Sequence, residues 1–332
     1  MQLDQTHVAV RVRTLTELGD LALVVLNRYP LPILITFALG ALPWLICNAV
    51  LLSWIPIEEA RFGLDDSEAV WQLLRYVCAM SLLVFLQAPA AGVITTIFLG
   101  QAVFEETPNW RSACTVAREQ FGRWFYCLAI RRLVLPTMIL YGVRWFQPYN
   151  NFLDITLPLL IMLLAMVIRA NRPFLPEMIL LERCPMRSKN ENEITLARRS
   201  RALHRVAGGD INGRWLGVAL ILVVLFGGFF YSLIWLTGIT TGYWYPGLLA
   251  FLVWFPLALW MVAGLSVVVR MVSYLDARIR MEGWDVELAV RAEVIRQFGD
   301  ETLSMMPAAS DSAPGPATPA SATPASAAGG SL

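Results

Sequence analysis

Of the 332 residues, 57% are hydrophobic and only 15% charged, and the mean hydropathy is +0.57. Soluble globular chains carry about 25% charged residues, so this composition excludes a water-soluble fold. A net charge of +1 excludes recruitment of nucleic acid by a global positive field, and five cysteines with no C-x-x-C pair argue against a disulfide framework or a zinc site.

The first twenty residues, MQLDQTHVAVRVRTLTELGD, lack the short apolar core and small-residue cleavage site of a secretory signal, so the first span is expected to direct insertion. Thr14-Leu15-Thr16-Glu17 reads as a capping box, and Leu15, Leu18, Ala22, Val25 and Leu26 follow at helical spacing. This predicts an amphipathic helix on the membrane surface within a cytoplasmic segment 1–30, ended by Arg28-Tyr29-Pro30.

A span near 31–54 follows, 24 residues without a charge where about 20 cross the hydrocarbon core. Ile55 to Arg75 carries Glu58, Glu59, Asp65, Asp66 and Glu68 against Arg61 and Arg75, an acidic loop suited to the outside. The next apolar run, 76–104, is 29 residues; as one straight helix it would reach about 43 Å, too long for a core of about 30 Å. Gln87-Ala88-Pro89-Ala90-Ala91-Gly92 is where the break is expected.

Thr107-Pro108-Asn109-Trp110 opens a second interfacial helix, with a cap and Pro at the first turn, whose apolar face is Trp110, Cys114, Ala117, Phe121, Trp124 and Leu128. It leads into a span near 131–147 in which only Leu133 to Val143 is free of charge. That segment is either a short span with Arg131 and Arg132 snorkelling to the inner surface or half of a hairpin. A span near 152–169 has Asp154 at its outer end.

The loop 169–214 holds ten of the 26 Lys and Arg residues and is the strongest topological signal in the chain. Inside it, Asn190 or Asn192 can cap a basic helix that Gly208-Gly209 ends. Spans near 215–237 and 246–269 follow, joined by GITTGYWY, whose Tyr243, Trp244 and Tyr245 suit an outer interface. Residues 276–306 form a charged juxtamembrane helix, and 307–332, almost wholly Ala, Pro, Ser, Thr and Gly, a disordered tail. The whole is an all-α polytopic transmembrane helical bundle of about six spans. With both termini cytoplasmic, 23 basic residues lie inside and 3 outside, which assigns the chain to a bacterial inner (cytoplasmic) membrane.

Two stretches carry a family likeness. Arg13 to Tyr29, ending LVVLNRY, and Tyr274 to Leu288, YLDARIRMEGWDVEL, resemble the segments before the first span and after the last one in bacterial membrane proteins of the glycerophosphoryl diester phosphodiesterase membrane-domain type. The resemblance covers roughly Arg13 to Arg291 and implies a similar helical membrane domain. It does not carry the phosphodiesterase, which in that family is a separate soluble barrel with paired histidines, acids and a metal; only His7 and His204 are present here.

Candidate residues fall in two groups. Asp276 with Arg280, and Arg278 with Glu282, are spaced to pair along a helix, and Asp285 and Glu287 are placed to reach arginines of the large loop. This predicts a clamp between the last helix and the loop, or a headgroup site using Arg278 and Arg280. Arg198, Arg199 and Arg201 on the basic helix are candidate contacts for anionic lipid. The second group is a candidate intramembrane polar site: Gln87, Thr95, Thr96, Arg131 and Arg132. No catalytic nucleophile, cofactor or metal site is expected, so the chain is expected to be no enzyme. The expected partners are the lipid bilayer, anionic headgroups and another envelope membrane protein, with no nucleic acid. The reading is a structural or partner-binding component of an envelope assembly, with a transporter or lipid-handling protein as the alternative.

Overall fold

A computed structural model describes residues 14–53, 55, 57, 67–105, 107–146, 151–185, 195–242, 244 and 247–282. Within these, only the backbone is described at 67, 68, 104, 141, 143–146, 151, 171, 203–212, 281 and 282. Asp285, Glu287, Asn190, Asn192 and the tail 307–332 lie outside the described residues.

The chain is an all-α polytopic bundle, with no strand among the described residues. Helix α1 (Leu15–Arg28) opens with the capping box: Thr14 Oγ1 accepts from Glu17 N at 3.4 Å and Glu17 Oε2 from Thr14 N at 2.9 Å. Tyr29 leaves the helical region, and Pro30, whose fixed φ suits a first turn, starts α2 (Pro30–Leu52).

Helices α3 (Ser67–Ala91) and α4 (Val93–Phe104) divide the over-long apolar run at Gly92, inside the predicted break. Pro89 removes a donor and crowds the preceding turn, while Thr96 closes the bend by donating through N and Oγ1 to the Gly92 carbonyl at 2.8 and 2.9 Å. Helix α2 crosses close to this bend: a Cβ on Gly40 would sit 2.0 Å from the Ala91 carbonyl oxygen. Because α3 already begins at Ser67, Glu68 and Arg75 belong to a helix and not to the acidic loop of the sequence reading.

Helix α5 (Trp110–Glu119) is capped by Asn109, whose side chain accepts from Arg111 N at 3.0 Å, so Thr107 is not the cap. Helix α6 (Phe121–Trp124), a π turn (Phe125–Ile130) and α7 (Arg131–Phe146) then run on without interruption. Helix α8 (Asn151–Asn171) is followed by the short α9 (Leu175–Leu180), which the sequence reading did not foresee. Helix α10 (Leu196–Thr241) begins after Thr195 and passes straight through Gly208-Gly209. Each glycine costs a helix interior only about 1 kcal/mol relative to alanine, too little to stop a helix that an apolar span continues. Gly242, at φ +75°, ends it in the left-handed conformation that lacks a steric cost only for glycine. A π turn (Ala250–Trp254) leads into α11 (Phe255–Glu282), so the last span and the start of the juxtamembrane helix are one rod.

Five helices among the described residues, α2, α3, α8, α10 and α11, are long and apolar enough to cross a membrane. The chain is membrane-embedded, and the outward faces of α2, α8 and α10 carry large exposed side chains such as Leu34, Leu164 and Val224, as lipid contact requires. Helix α7 falls short by composition, yet geometry gives it a passage. Arg75 near the start of α3 pairs with Asp154 near the start of α8 at 2.5 Å, and Arg169 at the end of α8 lies over the Phe85 ring late in α3. Helices α3 and α8 therefore run parallel, and the chain has to return between them. The helical run through α7 makes that return.

The core has two centres. One gathers Leu18, Phe98, Met178 and Tyr274 from α1, α4, α9 and the end of α11. The other gathers Phe37, Met80 and Trp260 from α2, α3 and the early part of α11. The first lies at the basic end of the bundle, where α9 and the start of α10 meet.

Candidate functional site: an apolar cavity with arginines at its basic end

The mid-bundle polar residues pack against one another. Gln87 Nε2 donates to Asn48 Oδ1 at 2.6 Å, Asn48 Nδ2 approaches Met80 Sδ at 3.9 Å, and Thr36 Oγ1 meets Thr95 Oγ1 at 3.3 Å. Gln87, Thr95 and Thr96 are all buried; Gln87 holds α2 against α3 and Thr95 holds α2 against α4 through polar contacts of the kind that join helices in lipid, whereas Thr96 bonds back to Gly92 in its own turn. Asn48 and Thr36, half of this network, were not among the predicted residues. Arg131 is exposed, and Arg132 is half-buried on the side facing α9 and α11, so the two neighbours part company.

At the basic end, α9 supplies a carboxylate that the sequence reading missed. Glu177, fully buried, accepts from Arg270 Nε at 2.6 Å, and Arg270 itself is 8% exposed. Arg132 and Arg169 lie within electrostatic reach of this pair. A lone Glu inside the apolar string Phe174-Leu175-Pro176-Glu177-Met178-Ile179-Leu180 was the available signal, since a charge is rarely buried without a partner.

A second carboxylate, Glu182, ties three segments together. It takes Arg199 Nε and Nη2 at 2.8 and 2.9 Å in a bidentate pair, the Tyr274 hydroxyl at 2.6 Å, and Arg278 Nε at 3.9 Å. Burial alone raises its carboxyl, but the hydrogen bonds from Arg199 and Tyr274 and the charges of Arg199 and Arg278 outweigh that and hold it below the ordinary glutamate value. The chain bends sharply beside it. Arg183 adopts φ +50°, and Arg123 of α6 donates to the carbonyls of Arg183 and Cys184.

Asp276, 2% exposed, accepts from Arg214 Nη1 at 2.8 Å and from Arg280 Nε at 3.0 Å. The second contact is the expected i, i+4 pair. A link between the last helix and the large loop thus exists, but it is built from Asp276 to Arg214 and from Arg278 and Tyr274 to Glu182. Arg198 and Arg201 are exposed on the first turns of α10. The Glu282 side chain and Asp285 lie outside the described residues.

Between α3, α8, α10 and α11 lies a cavity of about 370 Å³, within the range of ligand pockets. Its walls are apolar along the membrane-spanning part, with Phe85, Met162, Leu222 and Phe226 among them, and its basic end is lined by Arg169, Arg214, Arg270 and Arg280 with Asp276. The apolar walls suit hydrocarbon, and the arginines suit an anion. No family model, curated protein or solved structure matches this chain. The motif that carries the family resemblance places Tyr274, Asp276, Arg278 and Arg280 in the ion-pair groups just described.

Proposed function

We propose that this chain is an inner-membrane protein that takes an amphiphile, a membrane lipid or a molecule built like one, into the cavity between α3, α8, α10 and α11. One observation carries the reading: a cavity of about 370 Å³ whose walls change from apolar to cationic along its length. An aqueous solute gains little from the apolar walls, and a hydrocarbon gains nothing from four arginines; an amphiphile uses both. This is the lipid-handling alternative of the sequence reading. It needs no enzymatic step, cofactor or metal.

The basic end faces the cytoplasm in this proposal, as do both termini, because 23 of the 26 Lys and Arg residues then stay inside. Membership of the glycerophosphoryl diester phosphodiesterase membrane-domain type is part of the same proposal, supported by the two flanking motifs. A second reading, a partner-binding component of an envelope assembly, draws on the exposed Arg198 and Arg201 at the start of α10.

The test is purification in a mild detergent with mass spectrometry of co-purifying lipids and proteins. One lipid class is expected to be enriched over its share of the membrane, and to be lost in Ala219→Trp, which fills the cavity from α10. A stoichiometric protein partner with lipid at bulk composition would overturn the reading in favour of the second.

A further inference from the structure

The basic end is overcharged for a buried site. Arg132, Arg169 and Arg270 share Glu177 as the carboxylate among them, so the group carries more positive charge than it can neutralise. Arg270 is the decisive member. It lines the cavity, is 8% exposed, and spends only Nε on Glu177; its Nη1 and Nη2 are buried and have no acceptor among the described residues. A guanidinium stranded in this way is costly unless an anion completes it. The Arg169 side chain, which also lines the cavity, makes no hydrogen bond or ion pair among the described residues and rests on the Phe85 ring, 4.9 Å from its centroid. Two planar forks facing one space, one with two spare donors and one with all its donors uncommitted to protein, match the bidentate geometry of phosphate oxygens better than a single carboxylate does.

We propose that the basic end of this cavity binds the phosphate of an anionic phospholipid, with Arg270 and Arg169 donating to its oxygens, Arg132 adding charge, and the acyl chains lying along α8 and α10. The assignment rests on the amphiphile reading above and names its ligand class. Asp276 keeps Arg214 and Arg280 engaged beside the site, which leaves the phosphate to the other two arginines of the cavity. Glu177 fixes the Arg270 plane and excludes a second anion.

The full-length protein in a neutral detergent is titrated with short-chain phosphatidylglycerol, with diacylglycerol of the same chains, and with inorganic phosphate. Thermal protection and lipid retention in native mass spectrometry are read together. Phosphatidylglycerol is expected to protect and be retained, the other two to do neither at equal concentration. Arg270→Gln also breaks the ion pair with Glu177 and so changes stability together with binding, so Arg169→Gln carries the test: it should fold as wild type and bind phosphatidylglycerol about tenfold more weakly, the loss expected for one hydrogen bond to a charged group. Diacylglycerol retained as tightly as phosphatidylglycerol, or Arg169→Gln binding like wild type, would overturn the phosphate assignment and leave the amphiphile reading standing. Retention of neither lipid sinks the amphiphile reading itself. Protection by inorganic phosphate equal to that by phosphatidylglycerol would overturn the lipid as its source.

Discussion

Removing Glu177 is the perturbation that most sharply separates this arrangement from an ordinary buried salt bridge. At 2.6 Å the attraction between Glu177 and Arg270 is about 6 kcal/mol at an effective dielectric of about 20, before desolvation is subtracted. Desolvation of two buried ions cancels most of that gain, so the pair itself contributes little net stability, whereas stranding one partner costs about 3–5 kcal/mol. The surroundings make the two partners unequal. With Glu177→Leu, three arginines face one another with no carboxylate between them, and the full penalty is expected. With Arg270→Met, Glu177 keeps Arg132 and Arg169 within electrostatic reach, so the loss should be clearly smaller. The double variant Glu177→Leu/Arg270→Met removes the pair together and should recover most of the single-variant loss. Equilibrium unfolding in mixed micelles, followed by tryptophan fluorescence in protein stripped of lipid, measures all four states. Equal costs for the two single variants, or a double variant no better than the worse single one, would refute the argument.

Other outcomes follow from the same contacts. Gly40→Ala places a Cβ against the Ala91 carbonyl oxygen, and backbone cannot yield as a side chain can, so a loss of about 1–3 kcal/mol or more is expected; Gly19→Ala, inside α1 with nothing within 4 Å, should stabilise by up to about 1 kcal/mol in the same unfolding assay. Because the Glu182 carboxyl is held below its ordinary value in the folded chain, its contribution is present above the usual glutamate range and is lost as pH falls through the lowered value. Stability measured down that range should therefore drop less steeply in Glu182→Gln than in wild type. Single cysteines at Ser53 and Phe152 should be labelled from one side of the membrane and at Arg183 and Arg201 from the other, in a background without the native cysteines; Phe152 labelling with Arg183 would remove the return passage assigned to α7.

Elements with strong local chemistry were legible in the sequence. The Thr14 and Glu17 capping box, the break at Gly92 and the Asp276 to Arg280 spacing depend on neighbours within a few residues, and the structure has each of them. Boundaries that depend on the competition between a weak breaker and a long apolar run were not: Gly208-Gly209 punctuates the sequence and leaves α10 whole. The cavity was not legible because it is assembled from four helices far apart in the chain. At its basic end Arg270 and Arg169 look ordinary alone, as two arginines ending apolar runs, and Glu177, one acid in an apolar string, signals burial without naming its partner. Only contacts spanning as many as 93 positions, such as that between Arg270 and Glu177, turn them into a site.

The most apolar stretch of α10 contains no buried residue, although the helix walls one side of the cavity. Lipid tails solvate such a face as well as protein does, so no hydrophobic force presses α10 inward. Its polar anchors lie in its basic half, Arg199 on Glu182 in the first turn and Arg214 on Asp276 about five turns along, while further on Phe226 and Phe230 pack on Phe251 and Phe255. Two carboxylates, Glu182 and Asp276, thus fix the basic half of α10, and under the proposed lipid reading they would stand beside the headgroup while the aromatic half borders the acyl chains.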